Sequence, residues 1–238
     1  MECVVVDMMT RENLLWRCLH GGALNSESLE HWGPEESLPF ADLRARNVPI
    51  LENLMDIYGA CAVAARAGNE FVGHLRFYPK AVREAEAASR GMCLQQAFPY
   101  GPPGDFGLRA FPPLPEIEDK TLVVHCMMLA PRVAGEEDLK RKGIGTRMAR
   151  VLIDWAADKG WRAIEAAAYE ELPTIYAVTG QTGRRFWEKL GFRLVRVEVE
   201  SALEEDSGFV RKMREDAIAA GIDPAKLANK YIMRLELG

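Results

Sequence analysis

Lys140-Arg-Lys-Gly-Ile-Gly-Thr146 is the stretch on which the reading of the chain turns. Upstream lies Thr121-Leu-Val-Val-His-Cys-Met-Met-Leu129, a near-continuous apolar run of the kind expected for a central strand. Downstream, Ile144, Met148, Val151, Leu152, Trp155 and Ala156 recur at helical spacing until Gly160, which predicts a helix over 144–159. The heptapeptide therefore opens a helix. The first turn of a helix leaves N–H groups without intrahelical partners and carries the positive end of the macrodipole. Gly143 and Gly145 lack Cβ atoms, so a ligand can approach the backbone closely. Three preceding cations raise the local potential, and the combination describes an anion site suited to phosphate. The dipole contributes about 0.3–1 kcal/mol per anionic charge. Each hydrogen bond to a charged group adds about 1.5–3 kcal/mol. Backbone N–H geometry should therefore dominate any binding. The loop is neither GxxxxGK[ST] nor GxGxxG, because Met148 stands at the third glycine position. On these residues alone two readings stand: a phosphate site, or a basic helix N-terminus with no ligand.

The bulk composition narrows the class. The chain has 238 residues, 48% hydrophobic and 27% charged, which is ordinary for a water-soluble globular protein with a sizeable core. No apolar run approaches membrane-spanning length, and the N-terminus lacks the features of a signal peptide. The net charge of −5 comes without a broad basic stripe. Cations gather only at 140–142 and at Arg184-Arg185, which suits a small polyanion better than a nucleic acid backbone. Cys3, Cys18, Cys61, Cys93 and Cys126 are scattered without a CxxC pair, and with four histidines they form no metal signature. The expectation is a cytoplasmic protein with free thiols, no metal, no nucleic acid and no membrane partner.

Other segments predict a helix over 10–21 with Thr10 as cap, and two helical stretches within 40–58 broken near Val48-Pro49. A hairpin turns around Ala67-Gly68-Asn69, and Ala81–Arg90 reads as a helix. A Pro/Gly-rich stretch follows over 92–119, read either as a lid over a site or as a surface excursion. Strands are expected over 161–169, 192–200 and 230–237, with helices from Thr182 to Leu190 and from Ser207 to Ala220. The fold class is mixed α/β (α+β).

The heptapeptide and a second segment together carry a family resemblance. Lys140 to Gly145 resembles the [Arg/Gln]-x-x-Gly-x-[Gly/Ala] loop of the GNAT superfamily of acyl-CoA-dependent N-acetyltransferases. Gly183-Arg-Arg-Phe-Trp-Glu-Lys-Leu-Gly-Phe192 resembles that family's Ala-x-x-Phe-Tyr-x-Lys-x-Gly-Phe segment, in the matching order. The resemblance covers about 121–200; the hairpin and the N-terminal helices follow it in outline. It implies one domain over 1–238, with insertions at about 80–120 and 201–229. The implied architecture is a central, mixed but mostly antiparallel twisted sheet with helices on both faces. It also implies acetyl-CoA as acyl donor, held by Met127, Met128 and Leu129 along the pantetheine arm. Lys140, Arg141, Lys142, Gly143, Ile144, Gly145 and Thr146 would hold the pyrophosphate, with Phe186 and Trp187 beside the arm and the sulfur. The acceptor would be a small-molecule or protein amine, and a homodimer is one option for the assembly.

Three departures from the family pattern stand out. Lys140 replaces Arg or Gln, the 131–140 loop is longer, and Trp187 replaces a tyrosine that protonates the departing thiolate in the family. Glu165, His125 and Glu170 are candidate bases, and Tyr169 and Tyr176 candidate acids. Cys126 lacks the His/Asp pattern of an activated nucleophile. Two function classes follow: an N-acetyltransferase acting by direct attack, or a non-catalytic acyl-CoA-binding or sensing protein that kept the loop and lost the acid.

Overall fold

The computed structural model describes residues 3–16, 19, 40–84, 112–130, 139, 141–179, 181–200, 203–204 and 208–238. The chain divides into two compact units, Met1–Arg162 and Ala163–Gly238, each described by itself.

The first unit is built on four antiparallel strands in the order β1 (Val4–Met8), β2 (Ala62–Ala67), β3 (Glu70–Pro79), β4 (Thr121–Leu129). The hairpin forms as expected, and Gly68 supplies the positive φ that its tight turn needs. β4 has the bounds read from sequence. Helix α2 (Ile144–Asp158) buries Ile144, Met148, Ala149, Leu152 and Ala156. This is the stripe that the 3.6-residue period predicts. Phe77 of β3 meets Trp155 of α2 with ring centroids 5.2 Å apart. The neighbouring Arg76 points to the opposite face and donates from Nη2 to the Leu15 carbonyl at 2.6 Å.

That contact corrects the reading of 10–21. Among the described residues of that stretch the helix is a single 3-10 turn, Arg11–Asn13, and Leu14 is extended with φ −72° and ψ 107°; residues 17, 18, 20 and 21 lie outside the described residues. The carbonyls of Leu15 and Trp16 accept instead from Arg76 and from the buried Asn47, whose Nδ2 lies 3.0 Å from Trp16 O. Side chains distant in sequence take the acceptors a helix would have used. The break at Pro49 is likewise corrected. Helix α1 runs unbroken over Phe40–Tyr58 with Pro49 inside it. The proline ring is exposed, while Ile50, Leu51, Leu54 and Met55 beyond it are buried. Burial of each such side chain contributes about 1.5–3 kcal/mol. Together they exceed the roughly 3 kcal/mol that an interior proline costs.

Residues 80–84 are helical; the rest of the 81–90 helix, the 92–111 part of the Pro/Gly stretch and the 131–138 loop lie outside the described residues. Leu114–Glu116 form a 3-10 turn.

The second unit holds β5 (Ala163–Ala168), β7 (Asn229–Glu236) and β6 (Arg193–Val199) in that antiparallel order. Helix α3 (Pro173–Thr179) lies between β5 and the expected helix that starts at Thr182, so Tyr176 is helical. Helix α4 (Arg184–Glu188) begins after Gly183 rather than at a Thr182 cap. Helix α5 (Gly208–Ala219) lies within 201–229, the stretch expected to be an insertion. Its Val210, Met213 and Ala217 form one apolar cluster with Leu172, Ile175 and Tyr169. Thr174 Oγ1 donates to Asp216 at 2.7 Å.

Pro49→Ala restores a donor to an exposed helix interior without touching the core. It should stabilise the protein by about 1–2 kcal/mol, net of the conformational entropy the unfolded chain gains. A rise in the calorimetric melting temperature checks this. His125 supplies a second test. Arg83 Nη1 lies 2.6 Å from its Nδ1. Guanidinium can only donate, so Nδ1 accepts and the proton sits on Nε2. Burial, then Arg83, Arg76 and His74, hold the pKa well below the ordinary histidine value. The neutral ring therefore contributes stability above the unfolded pKa of about 6.5, and this is lost as pH falls toward the folded pKa, at up to about 1.4 kcal/mol per pH unit. Urea midpoints should fall more steeply below about pH 6.5 in the native protein than in His125→Gln.

Candidate functional site

In the first unit, the end of β4 and the start of α2 carry the expected donor residues. Gly73 stands opposite Leu129, His74 opposite Met128 and Leu75 opposite Met127. Ala130 N–H donates to Val72 O at 3.0 Å. In an antiparallel ladder such pairs alternate. Met128 therefore turns its backbone groups to β3, whereas Met127 and Leu129 turn theirs to the opposite edge of β4. A Cβ on Gly73 would lie 2.8 Å from Leu129 Cδ2, so glycine is what leaves room for that side chain.

Leu139 is buried and anchors the approach to α2. Lys140 lies outside the described residues. Arg141 and Lys142 are exposed. Arg141 has φ 61°, and Gly143, at the helix cap, has φ 74°. For a residue other than glycine the left-handed conformation costs about 1–2 kcal/mol. Gly143 O accepts from Arg147 N at 2.9 Å, which closes the first helical turn. A Cβ on Gly143 would meet nothing within 4 Å, so the cap faces open space. The first-turn N–H groups at Ile144, Gly145 and Thr146 have no acceptor within the helix. Arg147 donates to Val4 O at 2.8 Å and is turned toward β1.

In the second unit, a cavity of about 340 Å³ is lined by Tyr169, Glu170, Glu171, Arg184, Arg185 and residues 220–222. Glu171 caps α4 from outside. Its Oε1 accepts from Arg185 N at 3.0 Å, and its Oε2 pairs with the Arg185 guanidinium at 3.4 Å. A Cβ on Gly183 would come 2.2 Å from Glu171 Cγ. This accounts for glycine where the resembling segment has alanine. Glu170 accepts from the Tyr231 hydroxyl at 2.5 Å, and Arg184 lies over the Tyr231 ring, 5.3 Å from its centroid. Burial and the Glu170 carboxylate raise the Tyr231 pKa, so the phenol stays protonated at neutral pH. Arg184 also pairs with Glu188 at 3.1 Å.

The other expected residues sit differently. Glu165 is buried and pairs with Arg234 at 2.9 Å and Arg196 at 3.6 Å, the environment of a structural carboxylate. Tyr169 is 1% exposed and points its hydroxyl to Glu200 at 3.3 Å. Tyr176 is half-buried in α3 and does not line the cavity. Trp187 is 1% exposed, edge-on to Phe186 at 5.0 Å and tilted against Phe192 at 4.9 Å. It anchors α4 in the core. In the first unit Cys126 Sγ lies 3.2 Å from His74 Nε2. Tyr231, Glu171 and Ile222 carried no sequence signal, because their roles come from elements that only the fold brings together.

Among the described residues, no group of three or more His, Cys, Asp or Glu is placed to hold a metal ion. Cys3, Cys61 and Cys126 are free thiols. No described helix is long and apolar enough to cross a membrane.

No family model and no curated protein matches the chain. Solved structures do. An N-acetyltransferase from Staphylococcus aureus Mu50 superposes with a TM-score of 0.51 at 10% identity, over 99% of this chain and 99% of that one. An agmatine N-acetyltransferase gives 0.49 at 15% identity over 98% and 99%. The IAA acetyltransferase from Bacillus cereus ATCC 14579 gives 0.45 at 13% over 99% and 100%. Identities this low speak to architecture alone, and on that evidence the chain has the GNAT-type N-acetyltransferase fold.

Proposed function

We propose that the chain is an acetyl-CoA-dependent N-acetyltransferase acting on an amine by direct attack, its two units parts of one acyltransferase domain. One observation carries the reading: the left-handed, openly accessible Gly143 cap at the start of the 15-residue helix α2. It stands where the resemblance puts a pyrophosphate loop.

The first unit is assigned the donor. First-turn N–H groups of α2, with Arg141 and Lys142, take the pyrophosphate. The β4 edge presented by Met127 and Leu129 takes the pantetheine amides, and Leu129 N–H takes the developing charge on the thioester oxygen. The second unit is assigned the acceptor. The cavity volume is at the small end of small-molecule sites, which favours a small amine. Glu170 removes the ammonium proton. The free electron pair on nitrogen then attacks the carbonyl carbon, the C–S bond breaks as the thiolate leaves, and the excess proton remaining on nitrogen passes to the thiolate, giving the amide and free CoA thiol. Thiol pKa values of about 8–9 make that thiolate a tolerable leaving group without an acid, which accommodates Trp187. The buried Trp187 also favours the second reading, an acyl-CoA-binding or sensing protein without turnover.

Calorimetry should show acetyl-CoA binding to the native protein. Gly143→Asp should weaken it at least about tenfold, by charge repulsion and by the roughly 1–2 kcal/mol of strain that a side chain meets in the left-handed conformation at the cap. Absence of binding to the native protein would sink the proposal. Thiol release with a panel of amines separates the two readings, since turnover with any amine eliminates the sensor. Glu170→Gln should lower kcat/KM by about 100-fold or more with acetyl-CoA affinity unchanged. Glu165→Gln should keep kcat below its melting temperature yet lose about 1–3 kcal/mol of stability, as two guanidiniums lose a buried partner.

A further inference from the structure

Four charged side chains line the cavity of the second unit, and two of them are committed to each other. Glu171 accepts from Arg185 N at 3.0 Å and pairs with the Arg185 guanidinium at 3.4 Å. A carboxylate held by a backbone N–H and a guanidinium has its charge offset in place. That pair adds little net field to the cavity.

Glu170 and Arg184 are placed differently. The Glu170 carboxylate accepts from the neutral Tyr231 hydroxyl at 2.5 Å and forms no ion pair among the described residues. Arg184 has a carboxylate partner, Glu188 at 3.1 Å, but both side chains are 45% exposed and stand four residues apart on α4. Exposed pairs of that kind are screened and are among the weakest ion pairs. A ligand carboxylate that takes the guanidinium fork displaces Glu188 at little cost. Tyr231 brings the two groups together. Its hydroxyl donates to Glu170, while the Arg184 guanidinium lies 5.3 Å from the centroid of the same ring. The ring is 6% exposed and therefore held by its surroundings. An unneutralised carboxylate and a weakly held guanidinium thus flank one fixed side chain, within reach of a single small molecule.

We propose that Arg184 is the residue that selects the acceptor, and that the acceptor is a small amino acid with its ammonium at Glu170 and its carboxylate at Arg184. This rests on the assignment of the cavity to the acceptor amine. A monoamine without an acid group satisfies Glu170 and leaves Arg184 on Glu188. An anion without an amine meets Arg184 with Glu170 close by and uncompensated. A zwitterion complements both charges at once, and such complementarity confers specificity. Ala220, Gly221 and Ile222 supply the uncharged wall that remains for a short side chain.

Isothermal titration calorimetry on the full chain, run with and without coenzyme A, tests this with the common L-amino acids, β-alanine and 4-aminobutyrate. At least one should bind, and its carboxamide and its decarboxylated amine should each bind at least about tenfold more weakly. Arg184→Gln should bring the amino acid down to the affinity of its carboxamide, with an unchanged circular dichroism spectrum, and Arg184→Lys should restore part of the preference. Glu188→Gln removes the competing carboxylate and should tighten amino-acid binding about twofold, a gain that a damaged fold would not produce. The proposal is overturned if none of these amino acids binds, if an acid and its carboxamide bind equally, if the preference survives Arg184→Gln, or if affinity falls in Glu188→Gln. Thiol release from acetyl-CoA with amines lacking a carboxylate, and with no preference for amino acids, overturns it while leaving acetyl transfer standing. Amino-acid binding by a protein with no affinity for acetyl-CoA does the reverse.

Discussion

The antiparallel ladder between β3 and β4, with its one irregularity between Arg76 and Phe77, constrains most of the first unit. Alternation along β3 sends Phe77 to Trp155 of α2 and Arg76 to the carbonyl of Leu15 on the other face. The same alternation along β4 decides which backbone groups near its end turn away from β3. Sheet register thus sets helix docking, the path of the N-terminal segment and the groups that β4 turns away from β3 together. A shift of one residue would exchange all three, since side chains and backbone groups both alternate with period two. A Cβ on Gly73 would crowd Leu129, Ala65 and the Met128 carbonyl, so glycine is what this register accommodates there.

What the sequence made legible follows from range. Helix α2 was readable because its stripe of Ile144, Met148, Leu152 and Ala156 is local and strongly periodic. β4 was readable from a continuous apolar run, and the hairpin from Gly68-Asn69. The misread elements are those whose backbone groups or charges are satisfied from afar. Trp16 O is held by a residue 31 positions away and Leu15 O by one 61 away. Glu165 finds its guanidinium 69 positions on. Propensity at residues 10–21 and around Pro49 pointed one way, and tertiary packing overrode it. Of the candidate site, the α2 cap was legible, because glycine and helix signals are short-range. The cavity lining was not: Tyr231 lies in a strand that reads as ordinary core, and Glu171 caps a helix by accepting from the N–H of Arg185, fourteen residues on.

Charge is organised differently in the two candidate regions, one in each unit. At the α2 cap, Arg141 and Lys142 are exposed, and screening by salt limits what such side chains contribute. Backbone N–H groups fixed by the helix are not mobile and lose little entropy on binding a ligand. In the cavity, two carboxylates and two guanidiniums line the same space, and each is engaged by a neighbour: Glu170 by Tyr231, Glu171 and Arg185 by each other, Arg184 by Glu188. Such a lining is close to neutral overall, so discrimination among ligands would come from the position of charges rather than from net attraction.

The cap itself is a case of local strain carried by distant packing. Two of three consecutive residues, Arg141 and Gly143, are left-handed. Glycine takes that conformation at no steric cost, but arginine does not. Helix propensity cannot compensate, because it is worth tenths of a kcal/mol per residue. The compensation lies in the buried face of α2. Ile144 and Met148, both nearly inaccessible, fix the first turn against the sheet. Burial of two such side chains contributes about 3–6 kcal/mol, more than the strain at Arg141. The loop is therefore held in an unfavourable shape by side chains buried beneath it. Weakening the packing of Met148 would relax the cap as effectively as altering the loop, because the geometry of the N–H groups is a property of the whole helix and not of the residues that bear them.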